Sequence, residues 1–385
     1  MNSPDVRPLL SIVIPTKNRY ETLLSTVKAM LENIPDPRLE IVIEDKSDDP
    51  GQALEFLAEF DVSRIRYAHC SKLRSVVENT ELALSRASGQ YITFIGDDDF
   101  VLPDILEHVQ RFSDQGIEAV SYPPAYYWWD TINFQVPSRY HQPRAFWYPV
   151  DTSANEVSID TARELHLAMA QGAVGLFKLP RVYHGVVSGA VLAKVKEETG
   201  KYVNGASPDM ALAVGVAHVI RSHTWFGQPL TVYGASKNSG GGYTASHTHF
   251  GNIADQPHLP QSTKDNWSEH LPPIWSEHTI YPQTVMEVLR AFRKPQNLNL
   301  FTFFASILVN EPHLQKFVLP FVWRYLSNHP KHILAFFAAL AKKFLGRLIR
   351  NFRSQVSGLP FELNFFNSPD ECIKHMAKKR KTYSE

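Results

Sequence analysis

Alternation of short apolar runs with helical patterns in the first hundred residues restricts the fold of this chain more than any other feature. The apolar runs LLSIVIP (9–15), LEIVIED (39–45) and YITFIG (91–96), and the more mixed run RIRYAHC (64–70), are separated by predicted helices near 20–33, 51–60 and 75–88. Strands buried on both faces are apolar throughout, and strands that alternate with helices form parallel sheets. The sequence therefore predicts an α/β fold with helices on the faces of its sheet.

Composition narrows the class of protein. With 385 residues, 44% of them hydrophobic, the chain is long enough to bury a large core. Its 39 basic and 39 acidic residues balance, so overall charge does not favour nucleic acid as a partner. Cys70 and Cys372 form no CxxC pair, and the short run LLSIVIP lacks the cleavage site of a signal peptide. We therefore expect a globular protein of the cytoplasm.

Polar clusters follow three of the predicted strands. They are PTKNR at 15–19, EDKSDD at 44–49 and GDDD at 96–99. Ligands of parallel α/β sheets bind beyond the carboxyl ends of the strands. Turns are polar in any protein, but three clusters at equivalent strand ends favour a binding site there.

The acidic triplet Asp97, Asp98 and Asp99 raises an electrostatic problem. Two unit charges ~4 Å apart repel by about 4 kcal/mol at an effective dielectric near 20. A hard divalent ion removes that cost and binds carboxylates together with substrate phosphates, so Mn²⁺ or Mg²⁺ is the expected cofactor. If the segment is extended, Asp97 and Asp99 share a face and Asp98 points away. A solvated acidic turn is the alternative, which the buried run YITFIG disfavours.

Other signatures are weaker. The chain contains no GxxxxGK[ST], GxGxxG or GxSxG pattern. His247 and His249 have a spacing that suits a metal ligand pair, within a Gly- and Ser-rich loop expected to be mobile. They are either isolated exposed histidines or part of a segment that closes over a bound diphosphate. Ser207 and Pro208 predict a helix start that places Asp209 in the first turn, where a carboxylate is favoured even without a catalytic role.

A family resemblance connects these clusters. The segments SIVIPTKNRYETLLSTVKAML, LEIVIEDKSDD and ENTELALSRASGQYITFIGDDDFVLPDIL closely resemble the nucleotide-sugar-binding half of family 2 glycosyltransferases. The later segment VVSGAVLAKVKEETGKYVNGASPDMALA resembles the acceptor half of the same family. The resemblance implies a GT-A fold, a Rossmann-like mixed sheet flanked by helices, and a nucleotide-diphospho-sugar donor.

The resemblance also implies roles for individual residues. Asp45 would hydrogen-bond the base, and Asp97 would lie near the ribose or the hydration shell of the metal. Asp99 would bind the divalent ion, with Asp97 as a second candidate ligand. The remaining residues implied at the nucleotide-sugar are Pro15, Thr16, Asn18, Arg74, Asn79 and Asp98.

The implied mechanism is a single displacement with inversion at the anomeric carbon. Asp209 would take the proton from the acceptor hydroxyl, and the metal on Asp99 would neutralise charge on the departing nucleoside diphosphate. The sequence departs from the family at two points. Pro208-Asp209 replaces the frequent Glu-Asp, and ALAVGVAH lacks the arginine-containing motif that often follows. The first departure keeps the base, whereas the second leaves the acceptor contacts undefined.

We expect two regions in the chain. Residues 1–260 form the GT-A domain, with 9–120 as the nucleotide-sugar half and 121–260 as the acceptor half. Aromatic residues within 119–148 suit either a core or a surface that stacks on sugar rings. Residues 261–385 are expected to be helical, with breaks at Pro282, Pro295, Pro312, Pro320 and Pro330.

The C-terminal region has its own charge pattern. From Lys331 onward, eleven basic residues stand against four acidic ones. At helical spacing, one group of apolar residues lies on one face of the predicted helix and a group of basic residues lies on another side. The apolar residues are Ile333, Phe337, Leu340, Phe344 and Leu348. The basic residues are Lys343, Arg347 and Arg350. This pattern is typical of a helix on an anionic membrane surface and equally of one packed on the catalytic domain. A position at the inner face of the plasma membrane would suit a lipid-linked acceptor.

Three functions fit the sequence. The leading hypothesis is a metal-dependent inverting glycosyltransferase of surface polysaccharide or glycoconjugate synthesis, acting on a glycan or a lipid-linked acceptor. A sugar-phosphate nucleotidyltransferase is a second, although PTKNR lacks the usual Gly-rich signature. A non-catalytic glycan- or partner-binding relic is a third, which the intact acidic set disfavours.

Overall fold

The computed structural model describes residues 7–60, 62–72, 75–136, 138, 141–150, 152, 155–246, 250–356 and 361–384. Its helices are α1 (Tyr20–Asn33), α2 (Gly51–Glu59), α3 (Val76–Arg86), α4 (Ile105–Asp114), α5 (Thr161–Ala170), α6 (Gly189–Thr199), α7 (Pro208–Val219), α8 (Gly240–Ala245), α9 (Gln261–Asp265), α10 (Glu277–Ala291), α11 (Leu300–Asn310), α12 (Gln315–Asn328), α13 (Ile333–Val356) and α14 (Pro369–Ser384).

An eight-stranded mixed sheet forms the centre of the molecule, in the order β3-β2-β1-β4-β10-β6-β11-β9. Strands β1 to β4 are parallel, and β10 runs antiparallel to both β4 and β6. Its strands are β1 (Leu10–Thr16), β2 (Leu39–Asp45), β3 (Ile65–His69), β4 (Tyr91–Phe94), β6 (Ala119–Ser121), β9 (Glu156–Asp160), β10 (Gly185–Ser188) and β11 (Ser222–Phe226). The predicted α/β architecture with a Rossmann-like mixed sheet is confirmed.

A second sheet of five strands lies beside the carboxyl end of β4, in the order β15-β8-β7-β12-β5. It consists of β5 (Phe100–Val101), β7 (Ala125–Trp128), β8 (Ala145–Pro149), β12 (Thr231–Ala235) and β15 (Phe361–Phe365). A two-stranded ribbon pairs β13 (Gly251–Asn252) with β14 (Ile274–Trp275). Because β5 follows the acidic triplet directly, the triplet connects the two larger sheets.

The last elements return to the first half of the chain. β15 pairs with β8, and Asn33 of α1 donates a hydrogen bond of 2.8 Å to Asp370 of α14. Cys372, Ile373 and Met376 are buried in the cluster that also contains the side chains of β1 and α1. The end of the chain therefore packs with the domain predicted for residues 1–260.

Several local predictions are confirmed and others are wrong. α1 spans the predicted residues, and Ser75 and Glu78 form a capping box at the start of α3. The predicted mobile loop contains α8, whose first turn is capped by Ser239. The expected all-helical C-terminal region contains β14 and β15.

Two predicted proline breaks are also wrong. Pro282 lies inside α10 and Pro320 inside α12. Each proline removes one backbone hydrogen bond. Pro282 is buried, and α10 packs on α7, so tertiary packing holds the helix despite that loss.

The α13 helix packs on the rest of the protein through one face and leaves another exposed. Phe336 is buried, and Leu340 packs against the same cluster as the side chains of α11. Large apolar side chains remain exposed on the other face; these are Ile333, Leu334, Phe337, Phe344, Leu345, Leu348, Ile349 and Phe352. Within the described residues, no helix has the length and apolar character needed to cross a bilayer.

Docking of α14 gives a stability prediction. Met376→Ala removes a side chain that is 1% exposed in the main core, and such a change costs about 2–5 kcal/mol. We expect a loss of this size in the free energy of unfolding, measured by denaturant titration. Leu334→Ala, at a side chain that is 84% exposed, is the control and should change it by less than about 0.5 kcal/mol. Equal effects of the two substitutions would show that α14 does not belong to the folded core.

Candidate active site

The acidic triplet forms a buried turn rather than an extended strand. The Asp99 N–H donates to the carbonyl of Gly96 at 3.3 Å, and Asp97, Asp98 and Asp99 are all at most 4% exposed. A Cβ at position 96 would lie 3.0 Å from Asp99 Oδ2, so glycine there allows the carboxylate to approach the backbone. The prediction that Asp97 and Asp99 share a face of an extended chain is therefore wrong.

Asp97 faces the end of β1 and the start of α1. Thr16 donates to its Oδ2 at 2.5 Å, and Arg19 Nη2 lies 2.6 Å from its Oδ1. Burial works against the positive charge of Arg19, but the charges of Asp97, Asp98 and Asp99 outweigh it and raise the pKa of the guanidinium. Burial raises the pKa of Asp97 to about 7, with Arg19 opposing the shift. A guanidinium thus supplies part of the positive charge that the sequence assigned to a metal.

Asp98 faces the loop after β12. Its Oδ2 accepts from both the backbone N–H (2.9 Å) and the hydroxyl (2.8 Å) of Ser236. Its Oδ1 lies 3.8 Å from Arg19 Nη1, which is beyond direct hydrogen-bond distance. Burial raises the pKa of the Asp98 carboxyl. Trp129 Nε1 donates to the Asp98 carbonyl at 2.9 Å and fixes the backbone of the turn.

Asp99 is held by four donors. Its Oδ2 accepts from Gly96 N–H at 2.6 Å, Tyr183 Oη at 3.0 Å and His184 Nε2 at 2.8 Å. Its Oδ1 accepts from Gly234 N–H at 2.6 Å. Burial opposes ionisation, but His184 and the hydrogen bonds outweigh it and lower the pKa of Asp99. Both oxygens are therefore engaged by the protein itself.

Asp45 lies fully buried at the end of β2. Tyr20 and Tyr67 donate to its Oδ2 at 2.5 and 2.7 Å, and the Ser47 N–H donates to its Oδ1 at 2.7 Å. Burial, followed by the hydrogen bond to Asp45, raises the pKa of Tyr20 to about 12. The predicted contact of Asp45 with the base remains a prediction, because the described partners of this carboxylate are protein groups.

The other residues predicted at the nucleotide-sugar lie at the same edge of the sheet. Pro15 and Thr16 end β1. Asn18, at φ 55°, exchanges hydrogen bonds with Asp48. Asn79 is buried and donates to the carbonyls of Thr16 (3.4 Å) and Glu44 (3.1 Å), so it ties the ends of β1 and β2 together. Arg74, His247 and His249 lie outside the described residues.

Asp209 lies in the first turn of α7, as predicted. Ser207 occupies the N-cap position, but its hydroxyl donates to Asp209 instead of capping the helix. Tyr281 of α10 donates to Asp209 Oδ2 at 2.6 Å. Burial, then the charge of Asp209, raises the pKa of Tyr281 well above its usual value, so this phenol remains a donor at neutral pH.

Aromatic residues lie beside Asp99 and beside Asp209. Tyr233 lies near enough to Tyr281 for an electrostatic interaction. Its ring stacks on that of His184, with centroids 3.4 Å apart, and His184 binds Asp99. Sequence reasoning missed Arg19, Tyr183, His184, Tyr233 and Tyr281. Arg19 belongs to the PTKNR cluster at the end of β1, so the position of that cluster could have identified it as a site residue. No local motif marks the other four residues.

A divalent ion fits this site through one carboxylate. No group of three or more His, Cys, Asp or Glu residues in the described part of the chain forms a metal site. Both oxygens of Asp99 accept hydrogen bonds, and Asp97 is paired with Arg19. The carboxylate oxygen of the triplet with the weakest contacts to the protein is therefore Asp98 Oδ1. Magnesium commonly binds proteins through one or two carboxylates and takes its other ligands from water and substrate phosphates.

Comparison with known proteins supports the resemblance. Residues 11–164 match the family model described as "Glycosyl transferase family 2". This segment contains β1 to β4, the acidic turn and the strands that follow it. The match to this family over residues 11–164 confirms the resemblance predicted from the sequence.

Two curated proteins align with part of the chain. One is the "GalNAc(5)-diNAcBac-PP-undecaprenol beta-1,3-glucosyltransferase" of Campylobacter jejuni, 31% identical over 112 residues, which are 28% of this chain and 36% of that protein. The other is the "Putative colanic acid biosynthesis glycosyl transferase WcaA" of Escherichia coli, 30% identical over 99 residues, which are 26% of this chain and 36% of that protein. The chain thus spans about a third of the length of these relatives.

Among solved structures, S. aureus TarS 1-349 in complex with UDP-GlcNAc aligns at a TM-score of 0.40 and 14% identity, over 83% of this chain and 72% of that one. The structure of S. aureus TarS aligns at a TM-score of 0.42 and 13% identity, over 80% of this chain and 52% of that one. Likeness at this level carries no information about substrates.

The Arg19–Asp97 pair gives a second prediction. Arg19→Gln leaves the buried Asp97 carboxylate without its ion-pair partner, and breaking a buried pair from one side costs about 3–5 kcal/mol. We expect a loss of this order in the free energy of unfolding at pH 8, by chemical denaturation. Adding Asp97→Asn should recover part of it. Lys28→Gln, which breaks the exposed pair with Glu32, should have little effect; a similarly small effect of Arg19→Gln would contradict the role of the pair.

Proposed function

We propose that this protein is an inverting glycosyltransferase that moves a sugar from a nucleotide-diphospho-sugar to a hydroxyl group of a glycan or lipid-linked acceptor. The observation that carries the proposal is the family match over residues 11–164, a segment that includes the acidic turn. The names of the two curated relatives support a lipid-linked or polysaccharide acceptor. A role in surface polysaccharide or glycoconjugate synthesis in the cytoplasm follows as part of the proposal.

The donor would bind at the edge where β1, β2 and β4 end. In this proposal, Asp45, Asn18 and the backbone at Pro15 and Thr16 contact the nucleoside, and the diphosphate lies beside the acidic turn. Asp97 then acts mainly by holding Arg19, since its two oxygens face Arg19 and Thr16. The positive charge of Arg19 compensates for the negative charge that accumulates there.

Asp98 rather than Asp99 is our candidate for the metal ligand. Asp98 Oδ1 has no contact shorter than 3.8 Å with Arg19, whereas Asp99 uses both oxygens for internal hydrogen bonds. A bound Mn²⁺ or Mg²⁺ supplies positive charge beside the leaving diphosphate. Asp99 instead orients His184 and the turn, which keeps the Asp98 carboxylate in place.

Asp209 is the proposed general base. As the acceptor oxygen forms its bond to the anomeric carbon, Asp209 takes the hydroxyl proton. The bond from that carbon to the diphosphate oxygen breaks, and its electron pair leaves with the nucleoside diphosphate. Attack opposite the leaving group inverts the anomeric centre. Tyr281 and Ser207 hold the carboxylate in one orientation for this transfer.

We also propose that α13 places the enzyme on an anionic membrane surface. Its exposed face includes Leu334, Phe344 and Phe352, at 84%, 57% and 66% exposure, and Lys342 and Arg350 are exposed on the same helix. A helix with exposed apolar residues and basic side chains binds the interface of anionic bilayers. This would bring the site to a lipid-linked acceptor at the inner face of the plasma membrane.

Donor binding tests the proposed reaction. The purified chain is incubated with UDP-, GDP-, dTDP- and CMP-sugars, with Mn²⁺, Mg²⁺ or chelator, and its melting temperature and donor hydrolysis are measured. We expect one nucleotide class to raise the melting temperature, since ligand at 100 times Kd stabilises by about 2.7 kcal/mol, and to be hydrolysed slowly. If no donor of any class shifts the melting temperature or is hydrolysed, the proposed function is wrong.

Asp209→Asn tests the base. The substitution retains the shape of the side chain, so donor binding should stay within about twofold, while general-base catalysis typically contributes 10²–10⁴ in rate. We expect transfer to acceptor to fall by that factor. Asp255→Asn, at an exposed position, is the matched control and should keep full activity. Wild-type transfer rates in Asp209→Asn would remove Asp209 from the role.

Vesicle binding tests the membrane surface. Leu334→Gln with Phe352→Gln should lower binding to phosphatidylglycerol vesicles at least tenfold, measured by co-sedimentation, because both apolar side chains are exposed. Point variants are suitable since β15 and α14, which follow α13, belong to the core. Leu54→Gln, at a leucine 53% exposed on α2, is the control. Equal binding by all three proteins would exclude α13 as the membrane contact.

A further inference from the structure

The second sheet has one face inside the core and one face lined with aromatic rings. Along β7, Ala125 and Tyr127 are buried in the main core, so the alternation of a strand directs Tyr126 and Trp128 to the other face. Tyr126 lies opposite Trp147 of β8 and Tyr233 of β12. The ring centroids of Tyr126 are 6.3 Å from those of Trp147 and 5.7 Å from those of Tyr233.

Short segments and the helix α8 cover part of this aromatic face and leave a cavity of about 450 Å³. Its further walls come from Phe134 and His141, whose rings stack at 5.1 Å, and from Gly241, Thr244 and Ala245 of α8. We call this space the aromatic cavity. Its size is within the range of small-molecule sites.

The aromatic cavity adjoins the acidic turn. Tyr183 and Gly234 line it, and both donate hydrogen bonds to Asp99. Tyr233, another wall residue, interacts electrostatically with Tyr281, whose hydroxyl binds Asp209. A molecule in the cavity therefore lies beside the residues that hold Asp99 in the acidic turn.

The walls combine flat rings with free polar groups. Among the described residues, no hydrogen bond engages the hydroxyls of Tyr126 and Tyr233, two of the rings that line the cavity. An alkyl chain would bury such groups without partners, at a cost in free energy. A pyranose ring suits such walls, because its C–H face packs against aromatic rings and its hydroxyls exchange hydrogen bonds with the phenols and with His141.

We propose that the aromatic cavity binds a pyranose ring of the acceptor. The inference that the bound molecule is the acceptor rests on the proposed function. The inference that it is a pyranose rests on the residues that line the cavity. Tyr126, Trp128 and Tyr233 form the stacking surface, and they determine which acceptor sugar is held beside Asp209.

Binding of simple glycosides to the full chain tests the proposal without donor. Methyl glycosides of glucose, galactose, N-acetylglucosamine and N-acetylgalactosamine are titrated by saturation-transfer NMR. We expect at least one to bind saturably, Trp128→Ala to weaken that binding at least tenfold, and Tyr233→Phe, which removes only a hydroxyl, at least threefold. Trp323→Ala, at a tryptophan that is 77% exposed on α12, is the matched control and should leave binding unchanged.

Four further measurements check the fold, the donor site and the occupant of the cavity. Unchanged thermal unfolding of Tyr233→Phe shows that the fold is intact. An unchanged donor-induced shift in the melting temperature of Trp128→Ala shows that the donor site is intact. Failure of the donor experiment and failure of the glycoside experiment can therefore be distinguished. The proposal is overturned if no glycoside binds or if both variants bind as the wild type does. It is equally overturned if farnesyl phosphate, and not a glycoside, binds in a Trp128-dependent manner. Displacement of the glycoside by a nucleotide-sugar but not by the matching nucleoside diphosphate would assign the cavity to the donor sugar and contradict it as well.

Discussion

Burial of three consecutive carboxylates is the constraint on which the rest of the site depends. Ionised carboxylates are costly to bury unless cations and hydrogen-bond donors compensate. Here Arg19 pairs with Asp97, Ser236 donates to Asp98, and His184 with two backbone N–H groups donates to Asp99. Apart from the Gly96 N–H of the turn itself, these donors come from the link between β1 and α1, from the residue before β10, and from β12 and the loop after it. The acidic turn therefore fixes the relative positions of segments that are more than 200 residues apart in the chain.

The same constraint explains why we propose different roles for the three aspartates. Asp97 pairs with Arg19, and Asp99 uses both of its oxygens for hydrogen bonds that include the one from His184. Asp98 keeps one oxygen without a short contact to Arg19. Tyr233 stacks on His184 and lies near Tyr281, which binds Asp209. In our proposal, the acidic turn places the donor at Asp98 and the acceptor at Asp209 and the aromatic cavity.

Local patterns in the sequence predicted much of the fold and the position of the site. The apolar runs of β1, β2 and β4 and the bounds of α1 follow from periodicity, and the polar clusters at the ends of these strands lie at one edge of the sheet. Partners distant in sequence were not predictable, because no local pattern links Asp99 with His184 or Asp209 with Tyr281. The extended geometry assumed for the triplet failed because a turn closed by Gly96 satisfies more carboxylate oxygens. Pro282 remains inside α10 because tertiary packing of that buried position overrides local propensity.

We propose that Asp98 faces the donor, whereas Asp99 belongs to the internal hydrogen-bond network. A crystal structure with Mn²⁺ and the nucleoside diphosphate that binds best, with anomalous data at the manganese edge, tests it directly. We expect an anomalous peak at coordination distance from Asp98 Oδ1, with the His184–Asp99 hydrogen bond intact. A peak on Asp99, with His184 displaced from that carboxylate, would contradict it.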